Sequence, residues 1–426
     1  MNSDLMVSIY CRTYNHRTYI RDALDSMLTQ DTDFRYEIVI FDDASTDGTS
    51  DIVREYAEKN PQIIQAHIMK KNTFHNPQRA EIDSVFMKKY LTGKYIAHCE
   101  GDDFWIDNHK LQMQVDYMES HPECSLYLSN AVWYDCQNNT LKAGNPYQCK
   151  TEKDVSPEEI FMMYNGHPPT ASILHRRDLV NMPQFFWESS VGDYCFLLYA
   201  LVCGDIHYNN RIMVVYRMMA IGSYSTRRQS DKHLWFYFYF GLVDFLAKYN
   251  NYTKYRYEIW CNKKIYDFAF PLIHHRKWNL NIDESIKDCI ERGYFFPNDF
   301  SKCANELGRI RKQIYDKTFV SSELKYFVNR YEHIVIMGAG NYAAILAEQF
   351  SYNHITYHGF AVSQKKENEE LYFGKPIWNL FSLPYDKEKT GVVIGINPVD
   401  WNDIKNSLAC AKIVNYYCPF LFSLED

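Results

Sequence analysis

Residues Glu100-Gly101-Asp102-Asp103 follow the apolar stretch Tyr95-Ile96-Ala97, so adjacent carboxylates stand where a buried strand gives way to a loop. Hard oxygen donors of this kind suit Mg²⁺ or Mn²⁺, which keep few protein ligands and take the rest from substrate phosphates and water. Taken alone, an Asp-Asp pair is more often a solvated acidic turn, because exposed carboxylates are common. Two further polar clusters end apolar runs in the same way: Thr13-Tyr14-Asn15 after Val7-Ser8-Ile9-Tyr10, and Asp42-Asp43 after the run 36–41.

The elements that must position these groups are legible from periodicity. Residues 7–10 and 36–41 read as strands, and residues 19–30 carry Ile20, Ala23, Leu24 and Met27 at helical spacing. A second helix is expected over 49–59, with Pro61 beyond its end and Ser45, Thr46 and Asp47 before it as capping oxygens. Asp47 is read as that helix's N-cap and not as a catalytic group. Strand–helix alternation favours a parallel sheet covered by helices, which binds ligands beyond the carboxyl ends of its strands. All three polar clusters fall at those ends.

Together, the run from Val7 to Asn15, the segment Ile38-Val39-Ile40-Phe41-Asp42-Asp43-Ala44-Ser45-Thr46-Asp47 and the turn Glu100-Gly101-Asp102-Asp103-Phe104-Trp105 resemble family 2 glycosyltransferases of the GT-A fold. The resemblance covers roughly residues 5–225. It implies that Asp103 binds a divalent metal directly, with Asp102 beside the donor ribose and the metal's water. It also implies that Asp43 reads the base, normally uracil, that Asp42 supports the same turn, and that Thr13, Tyr14 and Asn15 line the base and ribose pocket. Trp105 is read equally as a cover for the sugar and as a packing anchor.

Inversion at the anomeric carbon needs a base able to take the acceptor's proton. Val191-Gly192-Asp193-Tyr194 opens a strongly apolar helix and resembles the family's acidic motif there, so Asp193 is the candidate base. An acid in a first helical turn is also favoured by the helix dipole, and both roles can coexist. One departure stands out: relatives often carry Tyr-Arg-x-His after the last strand, whereas this chain reads Tyr216-Arg217-Met218-Met219, and a thioether is a poor ligand for Mg²⁺ or Mn²⁺. Arg217 is read either as facing the diphosphate or as a structural salt bridge.

The 426 residues suggest two or three domains at about 150 residues each. A hydrophobic fraction of 46% supplies ample core, and a net charge of −7 argues against nucleic acid as a partner. The 12 cysteines include no Cys-x-x-Cys pair, and the amino terminus shows no basic stretch before a long apolar run, so a reduced, cytoplasmic protein is expected. No apolar run reaches the roughly 20 residues of a membrane span, which leaves peripheral contact with the inner face open.

The expected architecture is α/β. A GT-A-type nucleotide-sugar-binding domain with a Rossmann-like mixed sheet occupies 1–230, a helical linker domain 231–330, and a small Rossmann-like α/β domain 331–426. In the last, His333 to Ala343 gives a strand, a Gly338-x-Gly340 turn and a helix, but the next strand ends at Ser363 where a dinucleotide site would carry an acid. A scaffold or oligomer contact is preferred there over a nucleotide. The expected function is inverting, metal-dependent transfer of a sugar from a nucleotide diphosphate, UDP-linked, to a saccharide or lipid-linked acceptor in surface polysaccharide synthesis. The alternative is a non-catalytic nucleotide-sugar-binding scaffold or sensor, which Met219 favours.

Overall fold

The computed structural model describes residues 5–142, 152–163, 168–220, 227, 231–274, 282–292, 322–364, 370–396 and 401–418. Contacts gather the chain into two compact units, 1–264 with 283–300, and 265–282 with 301–426.

In the first unit β1 (Leu5–Thr13), α1 (Ile20–Leu28), β2 (Arg35–Asp42), α2 (Thr49–Lys59) and β3 (Ile64–Ile68) alternate as the periodicity predicts. Both leading strands outrun their apolar cores, because polar end residues continue the ladder: Thr13 pairs in register with Asp42. Helix α1 buries Ile20, Ala23, Leu24 and Met27. Next come α3 (Arg79–Tyr90), β4 (Tyr95–His98), β5 (Phe104–Trp105), α4 (Lys110–Ser120) and β6 (Cys124–Asp135). They are followed by β7 (Thr140–Lys142), β8 (Lys153–Asp154), α5 (Pro157–Met162), β9 (Leu174–Arg176), α6 (Gln184–Trp187), α7 (Gly192–Cys203) and β10 (Asp205–Met218).

Among the described residues the main path of this sheet runs β3-β2-β1-β4-β9-β6-β10-β5. Strands β1, β2, β3 and β4 are mutually parallel, so their carboxyl ends share one edge. Strand β9 runs antiparallel to β4 and β6, and β5 runs antiparallel to β10, which makes the sheet mixed. Burial on both faces explains why β2 reads as a continuous apolar run and not as an alternation. One face packs Val7, Ile9, Ile38 and Ile40 against α1, and the other packs Tyr10, Val39 and Phe41 against Phe86 and Met87 of α3. Each such side chain contributes about 1.5–3 kcal/mol by leaving water.

Helix α8 (Lys232–Tyr252) also lies in the first unit and is capped by Asp231, whose carboxylate accepts from the amides of His233 and Leu234. Its stripe Leu234, Phe238, Leu242 and Phe245 is buried, as a core face should be. The helices α9 (Glu258–His274), α10 (Ile282–Glu291) and α11 (Ser322–Val328) follow.

The second unit carries β11 (His333–Met337), α12 (Asn341–Tyr352), β12 (Gly359–Val362), β13 (Leu371–Tyr372), β14 (Lys375–Asn379), β15 (Thr390–Ile394), α13 (Trp401–Cys410) and β16 (Tyr416–Tyr417). Its strands order as β13-β14-β12-β11-β15-β16, parallel except for β13. Gly338 has φ +111°, and a Cβ there would stand 2.7 Å from the Gly395 carbonyl, so the turn after β11 requires glycine. Among the described residues no helix is long and apolar enough to cross a membrane.

Candidate active site

The three clusters meet at the carboxyl edge of the first sheet. The Asn15 amide donates to Ser45 Oγ (2.9 Å) and its side-chain oxygen accepts from the Thr46 amide (2.8 Å), which locks the loop after β1 to the loop after β2. Asn15 and Ala44 pay for this with left-handed backbone, φ 56° and 63°. Gly101 closes the third side, because a Cβ there would stand 2.5 Å from Thr13 Oγ1 and 2.9 Å from His16 Nδ1. The Gly101 amide donates to the Arg12 carbonyl at 3.0 Å.

The acidic turn is held from below by β10. Strand β5 pairs with it at Phe104–Val215, and the Arg217 amide donates to Asp103 Oδ1 at 2.8 Å. The Arg217 guanidinium donates to the Asp102 carbonyl at 3.0 Å, forms an ion pair with Asp22, and lies 4.5 Å over the Phe104 ring. Of the two roles read for Arg217, the salt bridge is the one built here.

Asp103 is 1% exposed, its Oδ2 is buried without a partner, and burial with the neighbouring Asp102 charge pushes its carboxyl well above the usual range. Asp102 is the more open of the pair, with its side chain 15% exposed and Oδ2 3.8 Å from His16 Nε2. Glu100, given no role by the sequence, is raised to about 8 by burial and then by the charges of Asp102 and Asp193. Asp193, in the first turn of α7 and far off in sequence, is thus among the charges that act on Glu100. Asp193 Oδ1 accepts from the Tyr194 amide at 2.7 Å, so the dipole role is also present.

Asp42 spends both oxygens inside its turn, accepting from the Ser45 amide at 3.1 Å, from Ser45 Oγ at 2.6 Å and from Ser50 Oγ. Asp43 accepts from the Thr73 amide (2.8 Å), Thr73 Oγ1 (3.0 Å) and Arg12 (3.4 Å). The Thr13 side chain is buried against Gly101, whereas Tyr14 and Asn15 are partly exposed. Asp47 is displaced by one position from the role read for it: Gly48 is the N-cap of α2, and Asp47 Oδ1 accepts from the Thr49 amide at 3.0 Å. Trp105 is 4% exposed with Nε1 bonded to the Ala171 carbonyl at 3.0 Å, which makes it a packing anchor.

Three acids in one turn, one of them with an orphaned oxygen and two with raised pKa values, are short of positive charge, and their hard oxygens fit Mg²⁺ or Mn²⁺. Among the described residues no three His, Cys, Asp or Glu side chains form a metal cage by themselves.

Residues 8–168 match the family model described as glycosyl transferase family 2. The matched segment carries β1, β2 and the acidic turn after β4. The GT-A-type architecture that the resemblance implied is the fold observed. An uncharacterized protein of Mycobacterium bovis is 40% identical over 120 residues, which cover 28% of this chain and 33% of that one. The Escherichia coli protein WfgD, a UDP-Glc:alpha-D-GlcNAc-diphosphoundecaprenol beta-1,3-glucosyltransferase, is 28% identical over 157 residues, covering 37% and 53%. The chain therefore spans a third to about half the length of these curated relatives. A crystal structure of S. aureus TarS with UDP aligns at TM-score 0.47 and 15% identity, covering 87% of this chain and 98% of that one.

Proposed function

We propose that the chain transfers a sugar, with inversion, from a UDP-linked donor to a saccharide or lipid-linked acceptor in surface polysaccharide synthesis. The observation that carries this is the gathering of Glu100, Asp102, Asp103 and Asp193 at the strand edge beside the Thr13–Asn15 and Asp42–Asp43 loops. WfgD, whose described reaction uses UDP-Glc and a lipid-linked diphosphate acceptor, supports the choice of donor and acceptor class.

Asp102 and Asp103 would hold Mn²⁺ or Mg²⁺, which when bound supplies charge neutralisation for the departing diphosphate. Tyr14, Asn15, Asp42 and Asp43 hold the nucleoside loops in place, with Thr13 packed beneath them. Asp193 takes the proton of the acceptor hydroxyl as that oxygen bonds to the anomeric carbon and the bond to the diphosphate breaks on the opposite face. Arg217 fixes the acidic turn from beneath. The layout that goes with this is catalysis in 1–230, a helical linker over 231–330 and a Rossmann-like scaffold over 331–426, acting in the cytoplasm.

The test is a panel of UDP- and GDP-sugars with Mn²⁺, scored by thermal shift and by slow donor hydrolysis. UDP-sugars should stabilise the protein only with metal, and Asp102→Asn should abolish this. Asp193→Asn should keep donor binding and lose turnover. Donors that neither stabilise the protein nor turn over would refute the proposal.

A further inference from the structure

The turn that joins α8 to α9 is the one place among the described residues where three exposed large hydrophobic side chains fall within eight residues: Tyr252, Tyr255 and Ile259, at 41%, 58% and 57% exposure. Isolated apolar side chains on a surface are ordinary, whereas a cluster of them marks a contact surface. Cations surround this one. Residues 249–263 carry Lys254, Arg256 and Lys263 against Glu258 alone, in a chain whose net charge is −7. Lys254 and Arg256 are exposed, and the whole turn belongs to the first unit.

The backbone of the turn is tied down. The amides of Thr253, Lys254 and Tyr255 donate to the carbonyls of Tyr249 (2.9 Å), Asn251 (3.0 Å) and Asn250 (2.8 Å), and Thr253 Oγ1 donates to the Tyr249 carbonyl at 3.0 Å. Beneath it Tyr249 and Tyr257 are buried, with their rings stacked at 6.1 Å. Lys254 and Tyr255 hold left-handed backbone, φ 51° and 63°, where glycine or asparagine is at ease. Two strained residues stand at an apex where both side chains are exposed, and strain kept at such a place points to a contact made there.

Tyrosine rings beside lysine and arginine suit the headgroup layer of a bilayer, where the ring enters the apolar boundary, the hydroxyl stays in water and the cations meet anionic phosphates. A stable protein partner needs a broader face, about 800 Å² and at least roughly 20 residues on each side. Here the apolar surface is confined to a convex turn, five of whose six residues 251–256 are exposed. We propose that the α8–α9 turn is a membrane-docking surface: Tyr252, Tyr255 and Ile259 enter the headgroup layer of an anionic bilayer while Lys254, Arg256 and Lys263 pair with lipid phosphates. Such docking is peripheral and calls for no spanning helix. It goes beyond the glycosyl-transfer proposal and does not depend on it.

The experiment is co-sedimentation of the full chain, without nucleotide, with vesicles of phosphatidylcholine alone and of phosphatidylcholine mixed with phosphatidylglycerol, in about 0.1 M and about 0.5 M salt. The wild type should bind the anionic vesicles at least about tenfold more tightly than the neutral ones, and the higher salt should shrink that ratio, since each cation near such a surface is worth about fivefold. The double variant Tyr255→Asn with Ile259→Gln, in which asparagine suits the left-handed backbone, should bind about fivefold more weakly. Lys254→Glu with Arg256→Glu should weaken binding by about tenfold or more. Leu141→Gln, which removes an exposed apolar side chain outside the turn, should bind as the wild type does. Equal or absent binding of the wild type to the two kinds of vesicle overturns the inference whether or not the variants fold. Folded turn variants that bind as tightly as the wild type overturn it too. So does a wild-type dimer in sedimentation velocity that the Tyr255→Asn, Ile259→Gln variant lacks, because a second copy then covers the turn.

Discussion

Replacing Glu100 by glutamine isolates the electrostatic cost of gathering acids around one turn. The ordinary glutamate value of 4.5 rises to about 8 in the folded protein, first through burial and then through the charges of Asp102 and Asp193, with Arg12 opposing. A carboxyl raised on folding favours the native state at low pH. Its contribution is complete below pH 4.5 and is lost as pH climbs to 8, because the unfolded chain releases the proton first. Each pH unit in that window removes about 1.4 kcal/mol, so at pH 7 the accumulated loss is about 3 kcal/mol. Glutamine keeps the shape and never ionises. In urea unfolding with EDTA, Glu100→Gln and wild type should match near pH 4.5, and the variant should lead by about 3 kcal/mol at pH 7. A lead of the same size at both pH values, or none at either, would refute the claim that Glu100, Asp102 and Asp193 share one field.

Lys110 offers the opposite sign: fully buried, bonded to Gln114 and 4.3 Å from the Trp105 ring, its amine is lowered by burial to about 7. Wild-type stability should therefore fall as pH drops from 10.5 to 7, and Lys110→Met should be the more stable protein at pH 7, a difference read from urea midpoints across that range. Arg217→Ala removes the Asp22 ion pair and the Phe104 contact, and should lower stability by about 1–3 kcal/mol in the same assay. Its metal-dependent thermal shift with UDP should shrink as well, since the acidic turn loses its support. Gly101→Ala drives a methyl to 2.5 Å from Thr13 Oγ1 and should cost about 1–3 kcal/mol, with nucleotide binding weakened more than the melting temperature alone implies.

The alternation of strands and helices, the ends of β1, β2 and β4, and the acids waiting there were legible in the sequence, because period and termination are local properties of the chain. Helix α2 begins and ends where its spacing and Pro61 say, and Asp193 stands in the first turn of α7 as expected. The roles within the site were not legible. Nothing near Arg217 names Asp22 as its partner, and nothing near Asp43 announces that Thr73 and Arg12 occupy its oxygens, since those bonds join residues 30 to 195 positions apart. Which of two adjacent aspartates turns inward depends on the Arg217 amide donated by β10, a strand more than a hundred residues away. Local sequence chose the elements and their carboxylates. Long-range packing alone decided which carboxylates meet, which are buried, and how far their protons are held from the ordinary range.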